Sequence, residues 1–151
     1  MNEPTVVALH TKLARGEMRS VGELQVLAGR GFVNDHYFDD PRGRQCLLLS
    51  TDTLYEFGYD AGTLIEQVTL SLKGLQGLTD GTVVHIGSVP FELATECRPC
   101  SGMAGRLGEE PEEFKARLAG KRGRFAKALA NGVIRVGDPV RVSTAAVEER
   151  V

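Results

Sequence analysis

Short apolar runs separated by turn-forming residues dominate the chain. The clearest alternation lies in residues 21–28, where Leu24, Val26 and Ala28 occupy every second position, the period of a half-buried strand. Further runs of strand length lie at residues 5–10, 45–49, 67–70, 82–86 and 90–94. Gly87 and Ser88 separate the last two runs and are compatible with a tight turn, which predicts a β-hairpin.

Helical patterns are few and short. A helical turn is predicted after Ser50, whose side chain is suited to capping, and Gly58 marks its end. An acidic first turn that begins at Pro111, followed by apolar residues four positions apart, predicts a helix that ends near Gly120. A second late helix is predicted over residues 123–130, before an Asn-Gly pair that stops it.

Eight or nine short strands with one or two late helices predict a mainly β fold. The expected architecture is a closed or partly open β-barrel, or a sandwich, with the helices inserted late in the chain. Residues 133–142 add two short strands around a Gly-Asp-Pro turn, and residues 143–151 read as a tail. A length of 151 residues fits one domain that spans the whole chain.

Composition narrows the class of protein. Hydrophobic residues make up 42% and charged residues 25%, a globular mixture that argues against disorder. A net charge of -2 excludes a globally basic nucleic-acid coat, so no nucleic-acid partner is expected. Because no apolar run reaches transmembrane length and the start lacks a signal-peptide pattern, we expect a cytoplasmic protein without a membrane partner.

The strongest candidate for chemistry is the Cys97-Arg98-Pro99-Cys100 motif, which follows the predicted hairpin. Arg98 offers a positive charge that favours a thiolate, the form needed for sulfur transfer or for binding a soft metal. Cys46 lies inside an apolar strand and is expected to be inert. The count of three cysteines fits reduced thiols better than a disulfide framework.

Other uses of the two thiols stay open. They can be small buried hydrophobic residues. A thioredoxin-type motif normally opens a helix in an α/β context, whereas this one follows a hairpin. A structural zinc site needs two more ligands, and the chain offers only His10, His36 and His85 besides its cysteines and acids.

A polar, glycine-rich loop over residues 29–45 is the second candidate. It is long for a plain turn, and such loops are often functional. Its charged residues are three arginines and three aspartates, namely Arg30, Arg42, Arg44, Asp35, Asp39 and Asp40. The arginines can donate to a bound anion, or the aspartates can pair with them inside the loop.

A basic run without acidic residues is the third candidate. It contains Lys115, Arg117, Lys121, Arg122, Arg124 and Lys127. A solvated helix face explains such a run most simply. The alternative is a phosphate site at the helix start expected near Gly120 and Gly123, where backbone amides and cations combine.

Together these motifs resemble the MOSC domain, the module named after the C-terminal part of molybdenum-cofactor sulfurases. The resemblance covers about residues 29–142 and is carried by GRGFVNDHYFDDPRGRQCLLLS, LIEQVTL, LTDGTVVHIGSVPFELATECRPCSGM and GKRGRFAKALANGVIRVGDPV. It implies a β-rich barrel in which the cysteine matching Cys100 carries sulfur or ligates molybdenum. Since the desulfurase of the sulfurases is a separate domain, no pyridoxal phosphate is expected in this chain.

The resemblance also implies roles for particular residues. Cys100 is the thiolate, Arg98 its activator and Cys97 a second thiol able to resolve a persulfide. The phosphate of a molybdenum cofactor (molybdopterin) is expected at the basic segment and the loop, on Lys121, Arg122, Arg124, Arg42 or Arg44. Asp35 matches the family's aspartate and is expected to accept hydrogen bonds that hold the loop, whereas Asn34 and Tyr37 stand where the family commonly has Gly and His.

The resulting expectation is a stand-alone MOSC-like domain that binds molybdenum cofactor or carries sulfur on a loop thiolate. Expected partners are a cysteine desulfurase or a molybdoenzyme, together with a phosphate-bearing small molecule. The alternative is a non-catalytic β-barrel that binds a metal or a small molecule and in which both cysteines of the motif are structural.

Overall fold

The computed structural model describes residues 3–14 and 17–143. Within these residues eleven strands form two sheets. The strands are β1 (Val6–Ala14), β2 (Glu17–Val21), β3 (Glu23–Leu27), β4 (Gly31–Phe32), β5 (Cys46–Ser50), β6 (Val68–Leu70), β7 (Val83–Ile86), β8 (Val89–Glu96), β9 (Arg124–Ala128), β10 (Gly132–Arg135) and β11 (Val140–Ser143). The helices are α1 (Thr51–Phe57), α2 (Ser101–Arg106) and α3 (Pro111–Leu118), with a 3-10 turn at Leu75–Gly77.

The larger sheet has eight strands in the order β11-β7-β8-β9-β5-β6-β1-β2, and the smaller sheet has the order β10-β3-β4. Neighbouring strands are antiparallel except β5 and β6, which are parallel and are joined through α1, as a parallel pair requires a crossover. In neither sheet do the two end strands pair with each other over the described residues. The mainly β prediction is therefore confirmed, while a closed or partly open barrel stays a prediction.

Strand β5 divides the core into two clusters. Leu48 packs in the main cluster with residues from both sheets, whereas Leu49 packs in a smaller cluster beneath the helices. The helices contribute Leu54, Met103, Ala104, Phe114 and Leu118 to the smaller cluster. Because both faces of β5 are covered, its sequence is continuously apolar rather than alternating.

Several predicted elements are confirmed. The hairpin consists of β7 and β8 around Gly87 and Ser88. Helix α1 follows Ser50, whose hydroxyl accepts from the Asp52 amide at 3.0 Å, and it ends at Gly58 with φ +71°. Helix α3 begins at Pro111 as expected, and its apolar residues Phe114 and Leu118 pack in the smaller cluster.

The helix predicted over residues 123–130 is wrong, because this segment forms β9. Its burial alternates, with Arg124, Ala126 and Ala128 inside, and it pairs with β5 and β8. Alanine favours a helix in isolation, but the hydrogen bonds and packing that this segment gains between β5 and β8 outweigh that preference. The sequence analysis also missed β2, an edge strand without alternation, β4, a two-residue strand inside the segment read as a loop, and α2, which contains two glycines.

Among the described helices, none combines the length and apolar character needed to span a bilayer. The predicted tail over residues 143–151 lies outside the described residues from position 144 onward.

Candidate functional site

The Cys97 to Cys100 motif connects β8 to α2 and is fixed at both ends. The amide of Cys97 donates to the Gly123 carbonyl at 2.8 Å. Cys100 is the N-cap of α2, and its Sγ accepts from the Met103 amide at 3.4 Å. The Cys100 side chain is exposed, whereas Cys97 is half-buried. The two thiols therefore have different access to solvent within one short loop.

A buried arginine lies beside this loop. Arg122 is only 3% exposed, and over the described residues its Nε and Nη1 find no hydrogen-bond partner. Burial raises the pKa of the Cys97 thiol. The positive charge of Arg122 lowers this pKa, whereas Cys100 and Glu96 raise it further. Arg122 is thus the cation that favours a thiolate at Cys97.

Gly123 holds Arg122 and Cys97 in position. It has φ +111°, and a Cβ atom there would lie 2.7 Å from the Leu48 carbonyl oxygen, so a larger residue does not fit. The Gln76 side chain binds both backbone groups of Gly123, accepting from its amide at 2.9 Å and donating to its carbonyl at 3.0 Å. No sequence motif pointed to Gln76, because an amide that clamps a distant backbone has no local signature.

Arg124 is occupied by the protein itself. It is 2% exposed, and its guanidinium donates to four backbone carbonyls and to Asp80, with the carbonyls belonging to Leu75, Gln76, Leu78 and Ala94. With its donors taken, Arg124 has little left for an anion. The helix start on which the predicted phosphate site relied is also absent, since α3 ends at Leu118 and β9 begins at Arg124.

The other predicted cations are placed differently. Lys121 forms an ion pair with Glu56 at 2.6 Å, and its side chain is 42% exposed. Arg98 is exposed and lines a polar depression together with Asp80, Glu96 and Arg124. The cation that acts on the Cys97 thiol is Arg122, while the expected activation of Cys100 by Arg98 stays a prediction.

The loop over residues 29–45 is held from inside by Asp35. This aspartate is 6% exposed and accepts from four donors, namely the amides of Lys12 at 2.6 Å and Tyr37 at 2.9 Å, the Gln67 side-chain amide at 3.1 Å and the Thr11 hydroxyl at 3.4 Å. The hydrogen bonds expected of Asp35 are present, while a role in binding a cofactor stays a prediction. Asn34 has φ +68°, a conformation that glycine adopts most readily, which explains how it stands at the family's Gly position.

The aspartates of this loop pair with its arginines. Arg30 binds Asp39 at 2.6 Å, and Arg44 binds Asp40 at 3.2 Å. Arg42 is exposed, and its amide donates to Asp40 at 3.1 Å. These pairs match the alternative of internal pairing. Over the described residues, no hydrogen bond or ion pair joins this loop to Cys97, Cys100 or Arg122.

Cys46 is fully buried in β5, and burial raises the pKa of its thiol far above the usual range. Within residues 3–14 and 17–143, no three side chains of His, Cys, Asp or Glu meet in a position to hold a metal ion. A zinc site at Cys97 and Cys100 therefore lacks its remaining ligands in the described part of the chain.

Comparison with known proteins gives one family and several similar folds. The family model described as MOSC domain matches residues 61–141, more than half of the 151 residues. No curated protein matches the sequence closely enough to be identified as a relative.

Among solved structures, the YuaD protein from Bacillus subtilis is 16% identical with a TM-score of 0.77, over 93% of this chain and 96% of that one. YiiM from Geobacillus stearothermophilus is 17% identical with a TM-score of 0.68, over 93% and 75% of the two chains. YiiM from Escherichia coli is 16% identical with a TM-score of 0.69, over 92% and 69%. At these identities the likeness concerns the fold.

Proposed function

Because the chain belongs to the MOSC domain family, we propose that Cys100 is a functional thiolate that carries sulfur or ligates molybdenum, beside an anion site at Arg122. One observation carries the proposal. Arg122 is buried, two of its guanidinium nitrogens lack partners within the described residues, and its charge acts on the Cys97 thiol. Membership of the family suggests sulfur or molybdenum chemistry, and the position of Arg122 suggests where in the domain this chemistry takes place.

An unpaired buried guanidinium favours an anionic ligand. Taking a charge out of water costs several kcal/mol unless an opposite charge or hydrogen-bond acceptors replace the lost solvent. Arg124, two residues later, has its donors satisfied by carbonyls and a carboxylate. Arg122 differs in lacking such partners on Nε and Nη1, so a bound anion would supply what the protein does not.

The residues at the site fit a molybdenum cofactor in chemical type. A thiolate is a soft ligand suited to metal-sulfur chemistry, and a guanidinium binds phosphate or another oxyanion through paired hydrogen bonds. Cys100 would hold the metal or its sulfur, and Arg122 would hold an anionic group. When bound, the cofactor would supply the redox chemistry, while the chain would bind, orient and neutralise it.

The access of the thiols defines their roles in this proposal. Cys100 is exposed at the start of α2, where a sulfur donor or acceptor protein can reach it. A cysteine desulfurase or a molybdoenzyme is the kind of partner that the family suggests. Arg98 follows Cys97 in the chain and is exposed, so it is available to a docking partner.

Metal and sulfur analysis of the purified full-length chain tests the proposal. We expect molybdenum, or one added sulfur atom on Cys100 after exposure to a persulfide donor near pH 6, in the wild type and in Cys46→Ala. Both should be lost in Cys100→Ser. Stoichiometric zinc that disappears in Cys100→Ser would instead support the structural alternative, and equal sulfur loading of Cys100→Ser would contradict the assignment of the carrier thiol.

A further inference from the structure

We propose that Cys97 resolves a persulfide on Cys100 and releases its sulfur as hydrosulfide, with Arg122 stabilising the attacking Cys97 thiolate. This inference rests on the proposed function, since it requires that Cys100 accept sulfur. It adds an activity and a substrate class: the domain would convert the sulfane sulfur of a persulfide donor, carried by a small thiol or by a protein, to hydrosulfide.

The placement of the two cysteines supports a division of roles. Only three positions separate Cys97 from Cys100, and the backbone of Cys97 is tied to Gly123 by a hydrogen bond of 2.8 Å. Cys100 is exposed and Cys97 half-buried. A donor therefore reaches Cys100 first, and Cys97 is the neighbouring thiol that is less accessible to it.

Arg122 provides the charge that this attack requires. It is buried, it has unpartnered nitrogens over the described residues, and it opposes the effect of burial on the Cys97 thiol. The other groups that act on Cys97 are Cys100 and Glu96, and both disfavour its thiolate. Without Arg122, burial, Cys100 and Glu96 would all raise the pKa of the Cys97 thiol and keep it protonated.

The chemistry balances in two steps. In the first, the Cys100 thiolate attacks the outer sulfur of a donor persulfide; a bond forms between Cys100 Sγ and that sulfur, and the donor leaves as a thiolate. In the second, Cys97 loses its proton to solvent and attacks Cys100 Sγ. A Cys97–Cys100 disulfide forms, the bond to the outer sulfur breaks, and that sulfur leaves as hydrosulfide. The two thiols are oxidised, the sulfane sulfur is reduced by two electrons, and an external dithiol restores the pair.

The test uses the full-length chain and glutathione persulfide. The reduced protein is loaded near pH 6, desalted and shifted to about pH 8, where more of the Cys97 thiol is ionised. Hydrosulfide is measured by methylene blue formation, and the protein mass is followed in parallel. The wild type should release about one hydrosulfide per chain and lose two hydrogens, because a disulfide forms.

Two variants address the role of Cys97 and Arg122. Cys97→Ser should keep the added sulfur on Cys100 and release hydrosulfide at least about a hundredfold more slowly, since a serine hydroxyl is not ionised at this pH. Arg122→Met should release hydrosulfide several-fold more slowly for each sulfur atom loaded on Cys100, because the charge that opposes the rise in the Cys97 pKa is lost. Lys115→Met, which removes a half-exposed cation paired with Glu112, should behave as the wild type.

The outcomes separate this inference from the proposed function. If Cys97→Ser and the wild type retain the added sulfur equally, Cys97 does not resolve it and the inference fails, while sulfur loading on Cys100 stands. If neither protein gains sulfur on Cys100, the sulfur-carrier function itself fails. If Lys115→Met slows release as much as Arg122→Met, general electrostatics rather than Arg122 controls the step.

Discussion

Two buried arginines, only two positions apart, should respond in opposite ways to the same substitution. Arg122 is 3% exposed, and its Nε and Nη1 lack hydrogen-bond partners within the described residues. Arg124 is 2% exposed and donates to four carbonyls and one carboxylate. Methionine has a similar length and no charge, so Arg122→Met and Arg124→Met remove the guanidinium in two different environments.

The magnitudes follow from the partners that each change leaves behind. A buried ion whose lost hydration is not replaced costs the folded state several kcal/mol. Arg122→Met removes this cost and should therefore raise the free energy of unfolding. Arg124→Met removes a buried hydrogen-bonding partner from several carbonyls and should cost about 3–5 kcal/mol. Against a total stability of about 5–15 kcal/mol, this second loss leaves the domain marginal.

Thermal and urea unfolding of both variants measure the difference. For a domain of this size, 1 kcal/mol corresponds to about 2–4 °C in Tm. We expect Tm to rise by a few degrees in Arg122→Met and to fall by roughly 10 °C in Arg124→Met. Added phosphate should raise the Tm of the wild type but not of Arg122→Met, because a ligand that binds only the native state stabilises it.

A fall in Tm of similar size for both variants would refute this reasoning. It would mean that Arg122 has protein or solvent partners in solution that compensate its charge. The anion site would then lose its support, and the stabilisation of a Cys97 thiolate by Arg122 would have to be tested on its own through the rate of hydrosulfide release.

Three further predictions concern other parts of the chain. Iodoacetamide at neutral pH should modify Cys100 first, then Cys97, and leave Cys46 unmodified until the protein unfolds, because burial raises the pKa of the last two thiols; early labelling of Cys46 would contradict its placement. Asp35→Ala should lower stability by on the order of 3 kcal/mol in urea unfolding, since it strands buried donors, and an unchanged midpoint would show that they find other partners. Hydrogen bonds from a neighbouring arginine hold the pKa of Asp40 below its usual range, so the contribution of Asp40 to stability is present above the usual pKa and is lost as pH falls through the lower pKa of the folded state. Asp40→Asn should therefore make the free energy of unfolding depend less on pH on the acid side, and an unaltered dependence would contradict this.

The sequence predicted those parts of the fold whose signals are local. The continuous apolar run of β5 and the Ser50 and Gly58 signals around α1 correspond to elements of the structure. The segment 123–130 failed because alanine-rich helical propensity is a local quantity, whereas its position between β5 and β8 is set by residues far away in the chain. Helix α2 contains two glycines and is capped by a cysteine, so it carries no ordinary helix signal.

The candidate site shows the same division. The sequence shows which residues have reactive or charged side chains, so Cys97, Cys100 and Arg122 were all selected from it. Their relation was not visible, because it depends on the hydrogen bond between Cys97 and Gly123, which joins positions 26 residues apart (123 − 97). Arg98 is the sequence neighbour of Cys97, yet it is Arg122 whose charge acts on that thiol.

Two buried charges in this domain illustrate how a structural and a functional group differ. Asp35 has four donors around it, and such a charge contributes to stability because its lost hydration is replaced. Arg122 lacks partners on two nitrogens within the described residues, so its burial works against the folded state. A charge that is costly to the fold and lies beside a thiol pair is best explained by what it does for an anion there, whether that anion is a ligand or the thiolate of Cys97 during sulfur release.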